Sequence, residues 1–184
     1  DRAYSYLPSR EGNTYSDNVA LHVLRSIDEN FVSYKWIDRG SDERQYCAPM
    51  IDLPIASIMR TKYGEYDEYH TSLDDLKSVV TPSGLNGGFE AVFRSIEAIE
   101  KNVFPLVKIY AEPQMGRRGL YPLLGNRESV ADVRLMMNVI SYSDGTKSLL
   151  QIAELCEVPI WELYSIITIL TKHEIIEILQ DKLI

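Results

Sequence analysis

The spacing of apolar positions changes several times along the first hundred residues, and each change predicts an element. Asp1 to about Gly12 reads as a strand running into a turn. Ser16 or Asp17 can then cap a helix whose apolar face is Val19, Ala20, Val23, Leu24 and Ile27, spaced at three and four residues. That helix is expected to stop near Asn30. Phe31 to Trp36 alternates and is rich in β-formers, Gly40 punctuates it, and Ser41 can cap a short helical turn from Asp42 to Tyr46. A second strand is predicted at Ile55 to Met59. It runs into a polar, tyrosine-rich loop from Lys62 to Asp75, too long for a plain connector and of the kind that carries function. After Pro82, a helix from about Gly88 to Lys101 puts Phe89, Val92, Phe93, Ile96 and Ile99 on one stripe, which is predicted to pack on the sheet.

The second half follows another pattern. Phe104 to Gly125 contains Pro105, Pro113 and Pro122 with Gly116, Gly119 and Gly125, and reads as an extended, turn-broken excursion. A domain boundary is placed at its end, giving domains 1–125 and 126–184. Beyond it come a helix from Glu128 to about Ile140, the turn Ser143-Asp144-Gly145, a helix from Ser148 to Cys156, a third helix opened by Pro159 and running to about His173, and a β-prone Ile175 to Leu179. Three helices and a strand, with a three-to-four-residue turn between the second and third helices, make the pattern of a winged helix-turn-helix.

Composition narrows the partners. At 184 residues, 45% apolar and 25% charged, the chain can bury a real core. Its net charge of −8 argues against a surface built to neutralise phosphates. From Asn126 onward, five basic residues face nine acidic ones, a net of −4. The stretch expected to be the recognition helix, Ile160 to Leu170, has no Arg or Lys, and the first basic residue after it is Lys172. Nucleic acid is therefore not an expected partner, and this domain is expected to contact protein, a second copy of the chain included. Cys47 and Cys156 suggest two reduced thiols rather than a disulfide or a CxxC metal site. No leader is recognisable, and no stretch reaches the roughly 18 uncharged apolar residues of a membrane span. A cytoplasmic protein without a membrane partner is the expectation. The missing initiator Met and the abrupt start on a patterned segment suggest a piece of a longer polypeptide.

Candidate chemistry centres on the tyrosine-rich loop, Glu65-Tyr66-Asp67-Glu68-Tyr69-His70-Thr71-Ser72-Leu73-Asp74-Asp75. A neutral imidazole is a common zinc ligand, and Asp74 or Asp75 could accept its other N–H and fix the tautomer. From the local residues alone, the plainer alternative is a solvated loop histidine. Arg117 and Arg118, between two glycines, present two guanidinium forks that could grip a substrate carboxylate or an acidic sugar, and Glu112 could bind the opposite charge. The alternative there is a structural loop whose arginines pair with the acidic excess. His22 reads as a packed helix residue, His173 as a complement to a helix dipole, and Cys47 as a small packed residue rather than a nucleophile.

Taken in order, Gly40-Ser41-Asp42-Glu43, Ile51-Asp52-Leu53-Pro54 and Tyr69-His70-Thr71 with Asp74 resemble the end of the catalytic domain in the co-catalytic zinc aminopeptidase clan. With Glu112 to Pro122 added, the chain is similar to a bacterial subfamily of aminopeptidase-like proteins carrying a C-terminal winged helix. The resemblance implies the end of a doubly wound α/β sheet followed by a small winged helix-turn-helix domain. It implies two zinc ions, with His70 as the last ligand and the remaining ligands and the general base upstream of residue 1. It also implies that Tyr69 donates to the developing oxyanion and that the substrate is a peptide or small amide. Glu43 departs from the clan's usual His at that step, and Asp42 is expected to orient loops rather than bind metal. The second reading is a noncatalytic protein of the same fold that binds peptide or glycan or serves assembly.

Overall fold

A computed structural model describes residues 3–40, 42–111, 113–118, 120 and 127–179, with backbone alone over 127–130. It falls into two compact units, Asp1–Ile99 and Glu100–Ile184.

In the first unit, β1 (Ser5–Leu7) runs parallel to β2 (Val32–Ser33) and antiparallel to β3 (Ser57–Met59), giving a small mixed sheet in the order β2-β1-β3. The helix α1 (Tyr15–Ile27) starts two residues earlier than the cap signal suggested: Thr14 is the N-cap and Asp17 the third helical residue, with Asp28 as C-cap. Asp17 reaches back to accept from the Thr14 N–H at 2.9 Å, the acidic half of a capping box. A 3₁₀ turn follows at Trp36–Asp38, and α2 (Glu43–Tyr46) has Asp42 at its N-cap position, with no capping bond from that side chain. Ser41, expected as that cap, lies outside the described residues.

The long helix α3 (Pro82–Glu100) corrects one expectation. It begins well before Gly88, and its bulky stripe does not pack on the sheet. Phe89 is 65% exposed, Ile96 55% and Val92 51%, whereas Gly84, Ala91 and Ala98, on the roughly opposite face, are buried. Ala91 enters the core with Tyr4, Tyr6, Ala20 and Leu24. The helix comes in close on small residues: Tyr4 Oη donates to the Gly87 carbonyl at 3.2 Å, and a Cβ at Gly87 would lie 2.6 Å from Arg60 Nη1 and 2.8 Å from Tyr4 Oη. A bulky face could not make that approach.

The second unit gathers around a two-stranded ribbon. The strand β4 (Phe104–Val107) pairs antiparallel with β5 (Ile176–Leu179), from Phe104↔Leu179 to Val107↔Ile176. The expected turn-broken excursion thus opens with a strand that belongs to the winged-helix unit, so the division falls at Ile99/Glu100, ahead of the boundary placed near 125. Between the strands lie α4 (Arg127–Tyr142), α5 (Leu149–Cys156) and α6 (Ile160–Lys172). Ser148 caps α5, its hydroxyl accepting from the Gln151 N–H, and the buried Asn102 carboxamide accepts from the Leu150 N–H at 2.9 Å. Gly145, at φ +75°, fits its backbone between Leu106 and Leu179 and donates to the Pro105 carbonyl at 3.0 Å. Val139, Leu149, Ile152, Ile160, Leu163, Leu170 and Ile175 form the buried interior. Among the described residues no helix is long and apolar enough to cross a membrane.

Candidate functional site

The loop after β3 contains no helix or strand until α3, and it holds its shape by successive turns. Glu65 N donates to Lys62 O, Tyr69 N to Tyr66 O, and Thr71 N to Glu68 O at 2.9 Å. The Thr71 hydroxyl donates to the same Glu68 carbonyl at 2.7 Å and accepts from the Leu73 N–H at 3.1 Å. His70 sits between these tethers in the left-handed region, at φ +61°. A non-glycine residue held there costs about 1–3 kcal/mol, and such positions gather at functional sites. Its exposed imidazole stacks on the Tyr69 ring, with centroids 3.9 Å apart and planes at 19°. Neither ring nitrogen is hydrogen-bonded to a described side chain.

Tyrosine rings support that stack. Tyr69 meets Tyr66 edge-on at 5.7 Å and Tyr63 at 6.5 Å. Below them the buried Lys62 places its ammonium 4.4 Å from the Tyr63 ring and 5.0 Å from that of Tyr34, and donates to the Tyr63 carbonyl at 3.3 Å. Glu43 is buried; it accepts from the Ser57 hydroxyl at 2.9 Å and the Tyr63 hydroxyl at 3.4 Å. Burial, and then the Glu43 carboxylate, push the Tyr63 phenol above its ordinary value. Neither expected partner of the imidazole fills that role. Asp74 accepts from the Tyr66 hydroxyl at 3.0 Å, while Asp75 accepts from the Lys77 and Ser78 N–H groups, which hold its carboxyl below the usual range. Among the described residues no group of three His, Cys, Asp or Glu side chains could hold a metal ion.

Residues 1–102 match the model of a family described as a domain of unknown function, DUF4910. The chain belongs to the DUF4910 family. Residues 102–178 match a winged helix-turn-helix model. A curated relative from Clostridium acetobutylicum, named "Putative polysaccharide biosynthesis protein with aminopeptidase-like domain", is 34% identical over 151 residues, which is 81% of this chain and 34% of the relative. A crystal structure from the same organism, titled as that of a "putative peptidase", matches 97% of this chain and 39% of its own at 29% identity, with a TM-score of 0.84. The chain thus spans about a third of the curated relative's length and about two fifths of the solved chain's.

The other expected site residues of this DUF4910 member are distributed as follows. Arg117 and Arg118 lie exposed in a 3₁₀ turn, Met115–Arg118, of the second unit, and Arg118 donates to the His173 carbonyl at the end of α6, at 3.3 Å. Glu112 lies outside the described residues. Cys47 is buried and donates to the Leu53 carbonyl at 3.2 Å, a packed thiol as expected, and His22 is packed on α1. The supporting role of Glu43 and the contact of Arg60 with α3 were not anticipated. The second had a signal in Gly84, Gly87 and Gly88, three glycines in one helical turn and a half, which mark close backbone approach.

Proposed function

We propose that this chain is the C-terminal part of a zinc-dependent aminopeptidase-like hydrolase acting on a peptide or small amide, with His70 as the last metal ligand. The remaining ligands and the general base are proposed to come from polypeptide preceding residue 1. One observation supports this most: His70 is held in a strained conformation on a tethered loop, its imidazole nitrogens bonded to no described side chain, in a chain whose relative is named for an aminopeptidase-like domain. The donor set fits zinc as a single ligand contributed to a shared site, with Glu65, Asp67, Glu68, Asp74 and Asp75 adding negative charge to the loop. Zinc when bound, one ion or two, supplies a Lewis acid and a water of lowered pKa. For its part, Tyr69 fixes the plane of the imidazole by stacking, and its hydroxyl is the proposed donor to the oxyanion. Arg117, Arg118 and Glu112 are proposed substrate contacts, with Arg117 the stronger because Arg118 already holds the His173 carbonyl.

The winged-helix unit is assigned a protein-contact role, a second copy included. The α6 helix lacks a basic residue before Lys172, and Leu155 and Ile169 are exposed. A cytoplasmic setting goes with the two free cysteines. The exposed α3 stripe favours a second reading, a noncatalytic binding or assembly protein on the same fold. Hydrolysis separates the two. The full-length polypeptide is expected to cleave leucyl p-nitroanilide in a chelator-sensitive manner, and the 184-residue chain alone to show little activity. Cleavage by the isolated chain would refute an upstream base, and an inert full-length protein with bound zinc would favour the second reading.

A further inference from the structure

One face of α3 is composed like an interior and lies open. Leu85, Phe89, Val92, Phe93, Ile96 and Ile99 are each between 43% and 65% exposed, and their spacing draws a single stripe about 20 Å long. Six large side chains at half exposure amount to roughly 500 Å² of apolar surface, toward the top of the roughly 300–600 Å² of the largest patch on an ordinary monomer. No charge interrupts the stripe, because Arg94 is engaged by Glu90 at 2.8 Å and Glu97 at 3.2 Å along the same helix. The Phe89 and Phe93 rings already stack, with centroids 5.8 Å apart. Beside Leu85 and Phe89 the surface dips into a hollow of about 400 Å³, walled also by Val79 and Val80, which gives the patch relief for interdigitating side chains. An uncharged apolar face with such relief has the anatomy of a permanent contact rather than a transient one.

We propose, on the reading above that polypeptide precedes residue 1, that this polypeptide covers the stripe in the whole protein and packs on α3 as a further layer of the domain. Three observations favour this occupant over a second copy of the chain. The chain spans 34% of the curated relative and 39% of the solved chain, so most of each relative's length lies outside it. Within the first unit the sheet has strands of two or three residues, and among the described residues β2 and β3 have one neighbour each, so both edges are open to further strands. Finally, the chain enters beside this helix: Tyr4, just ahead of β1, reaches the Gly87 carbonyl with its hydroxyl at 3.2 Å. A segment joined at residue 1 is therefore tethered near α3 at an effective concentration on the order of millimolar, an advantage that a separate copy lacks.

The test is hydroxyl-radical footprinting, read by mass spectrometry, of the full-length polypeptide at a concentration where sedimentation shows a monomer. Leu85, Phe89, Phe93 and Ile96 should be labelled at least about tenfold more slowly than in the unfolded protein, as the buried Leu7 and Leu24 are. Ile96→Lys should in addition lower the melting temperature of the full-length monomer by more than about 3 °C, and a smaller shift would contradict burial. Should that variant fail to fold, the footprint of the unmodified protein decides. Labelling of the stripe at unfolded-state rates in the monomer overturns the proposal and leaves the face to an outside partner. Protection that appears only in a dimer overturns it too and gives the face to a second copy. The metal reading fails on other evidence: a protected stripe in a full-length protein without zinc would sink that reading and leave this one, and an exposed stripe in a zinc-loaded, active protein would do the reverse.

Discussion

Asp17 is a carboxylate of the first unit surrounded by donors. It is fully buried and accepts from the Ser9 N–H at 2.8 Å, the Ser9 hydroxyl at 2.5 Å, the Thr14 hydroxyl at 2.7 Å and the Tyr6 hydroxyl at 2.7 Å, in addition to the Thr14 N–H. Burial raises its pKa, but the bonds from Ser9, Thr14 and Tyr6 outweigh that and hold it below 3.8. The sign follows: the stabilisation is complete above the unfolded value near pH 4 and is lost as pH falls through the lower folded value. Asp17→Asn leaves donors facing an amide and should cost about 2–3 kcal/mol in urea unfolding at pH 7, a deficit that narrows in acid. A deficit that is absent, or constant with pH, would contradict this. Asp17 was legible as a helix-start residue but not as the hub of this network, because its partners Tyr6 and Ser9 come from the preceding strand and turn, which local pattern does not connect to the helix.

At the scale of elements, period was legible and packing face was not. The 3.6-residue spacing of Phe89, Val92, Phe93, Ile96 and Ile99 identifies α3, but the face that packs is the small one, Gly84, Ala91 and Ala98. Hydrophobic periodicity weights bulk, whereas close approach to the Tyr4 and Arg60 side chains requires its absence. Ile96→Lys should therefore change the stability of this chain by less than about 0.5 kcal/mol, and Ala91→Leu should cost about 1–3 kcal/mol by overpacking. Thermal unfolding of both variants checks it, and the reverse ranking would mean the helix packs on its bulky stripe. β4 was hidden for another reason. Pro105 reads as a breaker, yet a two-stranded ribbon is all edge, where proline is tolerated, and the partner strand lies some seventy residues away.

For the whole molecule, two units follow from two patterns. The winged-helix unit was legible from helix caps and turns, and the family match to residues 102–178 agrees with it. The first unit was legible less from periodicity than from ordered motif blocks, and its relatives carry peptidase-like names. Of the candidate site, residue types were readable, but the geometry was not: the stack of His70 on Tyr69 and the pairing of Asp74 with Tyr66 depend on turns that spacing does not specify. The central claim, that His70 is a metal ligand, is tested most directly by zinc content. The full-length polypeptide, purified with and without His70→Ala, should show a clear fall in zinc per chain in the variant with its fold intact by circular dichroism. Zinc content equal in the two proteins would contradict the assignment.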